Sequence, residues 1–558
     1  MPVPRPRFVE AGRRALLPGV LALLMGPALA EARPVFRSVL ACTAADGGLT
    51  LVETGRMAPG CRPVALPVPL ESVRWTTRLD RSEPVTRDRI VVGGTGTGAT
   101  FAPASARFEP APGPPGRPAP LMPGLGLIPQ LAARTFGTEE RAVLTRTDEA
   151  VTLACRAGTR PSGLILDPGE RRMPDVADLR LHWAAAGDVG FAAAIVARGG
   201  SAESGTRIAG DFTATDVPGE AALRAAPLFV VTCPEVAGTI TLNDLRLVGR
   251  AVAPPPARSA WAWRPSRWRD GPQLLLDEAR AHRLERLFVT VEVAEDHVTE
   301  AAGLAAFVAA AHRAGIAVVA VEGDPGMALA NGRAVALARL AALSAYQHAA
   351  APEARLDGLQ YDIEPYLLPA FAAEPEAVFR GWAETLDALT AAKPPFPLDL
   401  VLPFWLADNP SAHLVMPAIA RAAARLTVMA YRTNAAEVMR AAEPLLAWGA
   451  AASLPVQVAL EAGPLGDETT RLYARAASGP LWIVPQAEGD ALLVLLHQPR
   501  AAAGDARVYA LERESVFAGA RVSFLGDHAR VEATAVELAA GLSAWQSFGG
   551  LAFHGLID

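Results

Sequence analysis

Asp357-Gly-Leu-Gln-Tyr-Asp362-Ile-Glu364 opens with a turn dipeptide and then alternates. The alternation predicts a strand with Gln360, Asp362 and Glu364 on one face and Leu359, Tyr361 and Ile363 on the other. Three polar side chains on one face of a mostly apolar strand are costly to bury unless they have a task. Two of them are carboxylates one pleat apart. Acids that close push their pKa values apart, which keeps one of them protonated near neutral pH.

Outward from this stretch, strand-like and helix-like segments alternate eight times after residue 258. The strands read Ala260–Trp263, Leu287–Val293, Ala317–Glu322, Leu359–Glu364, Leu398–Trp405, Leu426–Tyr431, Val456–Glu461 and Gly550–Gly555. Alanine- and leucine-rich amphipathic stretches such as 303–314, 334–350, 376–392 and 435–450 fill the gaps. Such alternation means a parallel sheet with helical crossovers, and eight units over residues 259–558 fit a (β/α)8 TIM barrel. An insertion at about 466–526, with its own strand-like runs, separates strand seven from the last helix.

Upstream the pattern is different. Residues 76–252 carry short strands at 142–147, 151–156, 163–167, 178–183, 190–196, 228–232 and 239–248, separated by Gly, Pro, Asp and Ser. Regular short strands with turn signals predict an all-β, jelly-roll-like sandwich, a fold that carbohydrate-binding modules use. Residues 253–258, with three consecutive prolines, read as a stiff linker. Residues 31–75 read as a small appended segment. Arg5, Arg7, Arg13 and Arg14, the apolar run 15–25 and Ala28-Leu-Ala30 together read as a signal peptide over residues 1–30, so export to the periplasm or the extracellular space is expected. No later stretch looks transmembrane.

Composition excludes several functions. The net charge of −6 leaves no basic footprint for nucleic acid. The chain has a single lysine, Lys393, and no G-x-x-x-x-G-K-[ST], so no nucleotide site of that type is expected. Lys393 precedes a strand, the wrong end of a barrel for Schiff-base chemistry. The sequence contains neither H-E-x-x-H nor H-x-H, and it implies no metal and no cofactor. The four cysteines, Cys42, Cys61, Cys155 and Cys233, are an even set in a chain expected to be exported. Three pairings are open. Cys42–Cys61 with Cys155–Cys233 is the favoured one, the first closing a local loop in residues 31–75 and the second tying two strands of one domain.

Barrel chemistry sits at the C-terminal strand ends. The residues there are Trp263, Glu292, Glu322 with Asp324, Asp362 with Glu364, Tyr366, Trp405, Tyr431 with Arg432, Glu461 and His554. Acids that transfer protons and aromatics that stack on sugar rings converge on one rim. Trp263, Trp268 and Trp405 read equally as barrel plugs or sugar platforms.

At this point the residues resemble a known family. Asp357-Gly-Leu-Gln-Tyr-Asp362-Ile-Glu364 is similar to the fourth-strand signature D-G-x-D-x-D-x-E of glycoside hydrolase family 18. Leu426-Thr-Val-Met-Ala-Tyr431 is similar to its sixth-strand M-x-Y motif, and Phe548-Gly-Gly-Leu-Ala-Phe-His554 resembles its closing strand. The resemblance implies Glu364 as general acid, Asp362 orienting a substrate acetamide that attacks the anomeric carbon, and Tyr431 helping to hold that group. The chain departs from the pattern at Gln360, where an aspartate is usual, at Arg432, where an aspartate commonly follows the tyrosine, and at His554, where a tryptophan is usual.

The expected function is therefore hydrolysis of a polysaccharide or oligosaccharide, a bacterial exopolysaccharide or cell-wall-type glycan. Glu364 is the acid, and its partner is either Asp362 or, in a two-carboxylate mechanism, Glu461 across the barrel mouth. Glu292, Glu322, Trp263, Tyr366, Trp405, Arg432 and His554 are expected to line the substrate. A lectin-like barrel without catalysis and a surface adhesion protein are the competing expectations.

Overall fold

The computed structural model describes residues 66–79, 88–108, 120–249 and 257–557, with short breaks at 139, 175, 177, 201–204, 210–214, 219, 226, 295, 369, 372–373 and 487–490. It also gives the backbone of three short strands, Val39–Thr43, Leu49–Glu53 and Cys61–Pro63. The leader at 1–30 lies outside the described residues, as does the linker apart from its last two positions. The three short strands form one antiparallel sheet whose register sets residue 42 opposite residue 61. The side chains of Cys42 and Cys61 lie outside the described residues.

Two five-stranded antiparallel sheets make the sandwich. One holds Ala132–Phe136, Gly163–Asp167, Ala192–Ala197, Thr206–Ala209 and Pro227–Thr232; the other holds Ala142–Arg146, Val151–Cys155, Arg180–Gly187, Thr215–Pro218 and Gly238–Val248. Alternation decides which face is buried. Arg180–Gly187 turns Leu181, Trp183 and Ala185 into the core. The long strand Gly238–Val248 buries Ile240 and Leu242 and then Leu245 and Leu247, a one-residue change of phase. A bulge opposite Ala184/Ala185 absorbs the extra residue. The Cys155–Cys233 disulfide links the two sheets, in agreement with the favoured pairing.

The described strands between residues 73 and 108 do not join this sandwich, contrary to the sequence expectation. Val73–Leu79, Arg89–Thr95 and Ala102–Phe108 pair instead with the four strands of the barrel insertion, Glu468–Arg475, Ser478–Pro485, Ala491–Ala501 and Arg507–Phe517, in one seven-stranded sheet. Arg89–Thr95 lies against Glu468–Arg475, and Val73–Leu79 against Ala491–Ala501. One buried cluster on this sheet includes Ile90, Val92, Tyr473, Ile483, Leu493 and Tyr509. Without the N-terminal strands, both outer strands of the insertion would be unpaired edges.

The barrel is closed and parallel. Its strands are Ala257–Ala262, Arg286–Thr290, Ala317–Glu322, Gly358–Tyr361, Leu398–Pro403, Arg425–Met429, Val456–Glu461 and Phe548–His554, numbered one to eight below. All eight match the sequence reading to within a few residues. Helices Pro272–Ala281, Ala301–Arg313, Ala330–Ala349, Pro375–Ala391, Met416–Ala422, Ala435–Ala452 and His528–Leu542 cover the outside. The sandwich docks on the last two long helices. Gly124 lies against Gly541, and Arg172 donates to the fully buried Glu443 of helix Ala435–Ala452. No helix among the described residues is long and apolar enough to cross a membrane.

The composite sheet predicts a failure on truncation. Residues 259–558 expressed alone lose Ile90, Val92 and Phe101 from the sheet core, each worth about 1.5–3 kcal/mol of burial. The truncated protein is expected to aggregate on size exclusion and to melt well below the chain that keeps residues 66–108.

Candidate active site

The barrel interior is built in layers by strand parity. Trp261, Phe288, Val319, Gln360, Val401, Thr427, Gln457 and Ala459 are buried side chains of the strands that turn toward the axis. Low in the barrel, Gln457 Nε2 donates to Ser259 Oγ at 2.9 Å. Next, Trp261 Nε1 donates to Gln360 Oε1 at 2.8 Å, and Gln360 Nε2 to Thr427 Oγ1 at 3.3 Å. Gln360 thus belongs to a neutral, hydrogen-bonded floor.

Asp362 and Glu364 continue the same face above that floor. Asp362 N donates to Glu322 O at 2.8 Å, which extends the strand-four ladder past Tyr361. Gly323 makes this approach possible: a Cβ there would lie 2.1 Å from Asp362 O. Glu364 then leads into the short turn Pro365–Leu367. Asp362 Oδ1 and both Glu364 carboxyl oxygens are buried without a protein partner. The Tyr366 hydroxyl comes near enough to favour the charged form of Glu364, but not with the geometry of a full hydrogen bond.

Burial raises the Asp362 pKa to about 7, against a smaller lowering by His554. Glu364 is pushed well above the usual carboxylate range by burial first and by the neighbouring Asp362 second. Although surrounded by protein, Asp362 keeps part of its surface open, so the pair sits in a recess rather than in a sealed core. Tyr366 and Tyr431 have raised pKa values, from burial and then from the nearby acids; Asp362 and Glu364 act on both, and Glu461 on Tyr431.

Aromatic walls surround the acids. Trp261 and Trp263 stack at 6.3 Å, and Tyr366 meets Trp405 edge-on at 5.2 Å. The indole N–H groups of Trp263 and Trp405 are buried without a partner. Donors, acceptors and aromatic faces therefore converge without satisfying one another, which suits a polar ligand with flat apolar faces. The end of the insertion forms part of the rim. Val522 packs with Trp261, Tyr366 and Tyr431, and Phe524 N donates to Glu461 O at 2.9 Å.

Several expected site residues lie elsewhere. Glu322 turns outward, because Val319 and Val321 set the inward phase of strand three. Its carboxylate is paired with Arg339 of helix Ala330–Ala349 at 2.8 Å. Glu292 lies past the end of strand two, nearly half exposed (48%), in an ion pair with Arg269 at 2.9 Å. Asp324 caps the next turn by accepting from Gly326 N at 2.7 Å. Trp268 is buried and donates to Thr290 O, so it is a structural plug. Arg432 does not pair with either acid: it donates to Tyr431 O and lies 4.8 Å over Phe404. Glu461 faces inward as expected, but its oxygens are taken by Gly463 N at 2.7 Å and His554 Nδ1 at 2.5 Å. It is therefore poorly placed to be the free nucleophile of a two-acid site.

Trp261, Gly323 and Val522 were not singled out from sequence. Trp261 could have been found, since it lies two residues before Trp263 and so on the same face. Gly323 and Val522 gave no local signal.

No protein-family model matches the chain, and no curated protein does. Among solved structures it is similar to a glycoside hydrolase family 18 chitinase from Cycas revoluta in complex with (GlcNAc)3, at 14% identity and a TM-score of 0.29, covering 54% of this chain and 96% of that one. It is also similar to the spore cortex-lytic enzyme SleL of Bacillus cereus, at 13% identity and a TM-score of 0.30 over 56% of this chain and 73% of that one. A third is an endo-beta-N-acetylglucosaminidase from Cordyceps militaris, at 14% identity and a TM-score of 0.25 over 38% of this chain and 69% of that one.

The raised pKa of Asp362 makes stability depend on pH. A carboxyl with a higher pKa in the folded state favours folding fully below about pH 4, its unfolded value, and loses that contribution as pH rises through about 7. Asp362→Asn removes the penalty. Its thermal midpoint is expected to exceed that of wild type at pH 8, by a stability difference on the order of 4 kcal/mol at most, and to match it near pH 4. Thermal unfolding across this range checks the prediction, and a constant offset would contradict it.

Proposed function

We propose that the chain is an exported glycoside hydrolase acting on a bacterial exopolysaccharide or cell-wall-type glycan, with Glu364 as general acid. The observation that carries this reading is the pair of buried acids, Asp362 and Glu364, at the C-terminal end of the barrel, with Asp362 Oδ1 and both Glu364 carboxyl oxygens lacking a full hydrogen bond. The raised pKa of Glu364 keeps a proton available near neutral pH, which a general acid needs.

Glu364 donates this proton to the oxygen of the scissile bond as the bond to the anomeric carbon breaks. In the substrate-assisted form, the carbonyl oxygen of a 2-acetamido group attacks the anomeric carbon while Asp362 accepts the acetamide N–H. Tyr431 helps to hold that group. Glu364, now a carboxylate, takes a proton from the water that completes hydrolysis. The alternative with Glu461 as second carboxylate fits less well, because both Glu461 oxygens are engaged. Trp263, Tyr366 and Trp405 offer stacking faces, and Arg432 contributes to the rim. We assign the sandwich a glycan-binding role by its fold alone. Export rests on the leader sequence and on the Cys155–Cys233 disulfide.

One feature favours a lectin-like barrel. Gln360 is neutral and bound to Trp261 where the resemblance has an acid. Reducing-end release from N-acetylated and non-acetylated polymers separates the two readings. Glu364→Gln is expected to lower release at least ~100-fold while leaving binding intact. Asp362→Asn is expected to be most damaging on acetylated substrates. Binding without release by the wild-type protein would favour the lectin.

A further inference from the structure

We infer that Glu461 and His554 form a positioning dyad that sets an imidazole toward Asp362 at the barrel mouth and supports its negative charge. This deepens the hydrolase reading and rests on it, since it supposes that Asp362 acts on a bound sugar.

The two residues end adjacent parallel strands and are partners in register, so the pairing of strands seven and eight brings them together. His554 Nδ1 meets Glu461 Oε2 at 2.5 Å, while Glu461 Oε1 accepts from Gly463 N at 2.7 Å. A carboxylate that accepts on both oxygens fixes the ring nitrogen facing it as the one bearing hydrogen. The surroundings are shaped to this arrangement. Gly555 has φ +66°, and a Cβ there would come within 2.7 Å of Gly463 N and 2.8 Å of Glu461 Oε1. Ser523 Oγ donates to Gly463 O, which pins the turn that carries the N–H. The imidazole is caged by Trp263, Trp261 and Tyr431, with ring centroids at 5.6, 6.0 and 6.1 Å. Its orientation is thus set on every side.

The titratable groups around Asp362 are Glu364 and Tyr366 from its own segment, Tyr431 from the end of strand six, Glu461 from strand seven and His554 from strand eight. Of the groups that act on Asp362 itself, His554 is the one that favours its charged form. Other buried carboxylates of the barrel are matched by arginine, as Glu322 is by Arg339 and Asp399 by Arg425. At the mouth the group that acts on Asp362 is a histidine, and it is anchored by a second acid. An imidazole so anchored can face Asp362 without folding over it as a long guanidinium would, which leaves Asp362 open to substrate.

The test reads Asp362 directly, without relying on turnover. The pH at which Asp362→Asn ceases to gain further on its parent in thermal midpoint marks the titration of Asp362. That pH is measured in the wild-type, His554→Gln and Glu461→Gln backgrounds. The dyad predicts a rise of about one pH unit in both variant backgrounds. Glu461→Gln removes the charge and keeps one of the two acceptor oxygens, enough to hold either His554 or the Gly463 N–H, so it serves where His554→Gln fails to fold. On a cleaved glycan, either variant is expected to lower kcat about 10- to 100-fold with little change in KM, and the double variant to fall no further. A titration pH unmoved in both backgrounds overturns the dyad even if the protein cleaves glycans. A titration pH that rises in a protein that cleaves none supports the dyad's hold on Asp362 and removes the hydrolase reading instead.

Discussion

Burying a carboxylate costs several kcal/mol unless a partner offsets it, and this chain meets that constraint in two ways. At the base of the barrel, Asp399 lies beside Arg425 and Arg286. Behind strand three, Glu322 is paired with Arg339, and between sandwich and barrel Glu443 is paired with Arg172. At the mouth, Asp362 and Glu364 have no arginine partner among the described residues. Arginine is plentiful in this sequence, and Arg432 is only one residue beyond Tyr431, yet its guanidinium turns to Phe404. Leaving this pair without an arginine partner raises its proton affinity, and the rest of the barrel has to supply the stability that the pair withholds.

That stability comes from layers that satisfy one another below the acids. The Trp261–Gln360–Thr427 chain shows what the departure at Gln360 does physically. A third acid there would place another charge in the same desolvated shaft. The amide instead closes a neutral hydrogen-bonded floor and confines ionisation to the mouth. The cost of this solution is that charge support for Asp362 has to come from elsewhere, and the group that favours its charged form is His554, at the end of strand eight.

How much was legible in the sequence follows from the range of each interaction. The eight barrel strands are local patterns, and their order was readable. The phase of strand four was readable because its polar and apolar residues alternate. Strand three is apolar at every position up to Glu322, so nothing local fixes its phase, and Glu322 was assigned to the wrong face. Glu292 failed for a different reason: the strand ends at Thr290, three residues before the Val293 at which the sequence reading ends it, and past that point parity has no meaning. The pairing of Arg89–Thr95 with Glu468–Arg475 spans most of the chain, and no periodicity carries information over that distance.

The same long-range pairing ties the N-terminal strands to the site. The insertion leaves the barrel after strand seven, at the end where Glu461 lies, and returns through Ser523 and Phe524, which bond to Gly463 and Glu461. Between these points it forms a sheet that is complete only when Val73–Leu79 and Arg89–Thr95 add to its two sides. The rim that clamps the Glu461 turn is therefore anchored to chain laid down before the sandwich. A barrel without that N-terminal region would keep every acid named here and lose much of the support for the loop that orients Glu461. The sandwich, encoded between the two halves of this sheet, is fixed to the barrel at both of its ends, which makes its docking on the last two long helices a consequence of topology as much as of the Arg172–Glu443 contact.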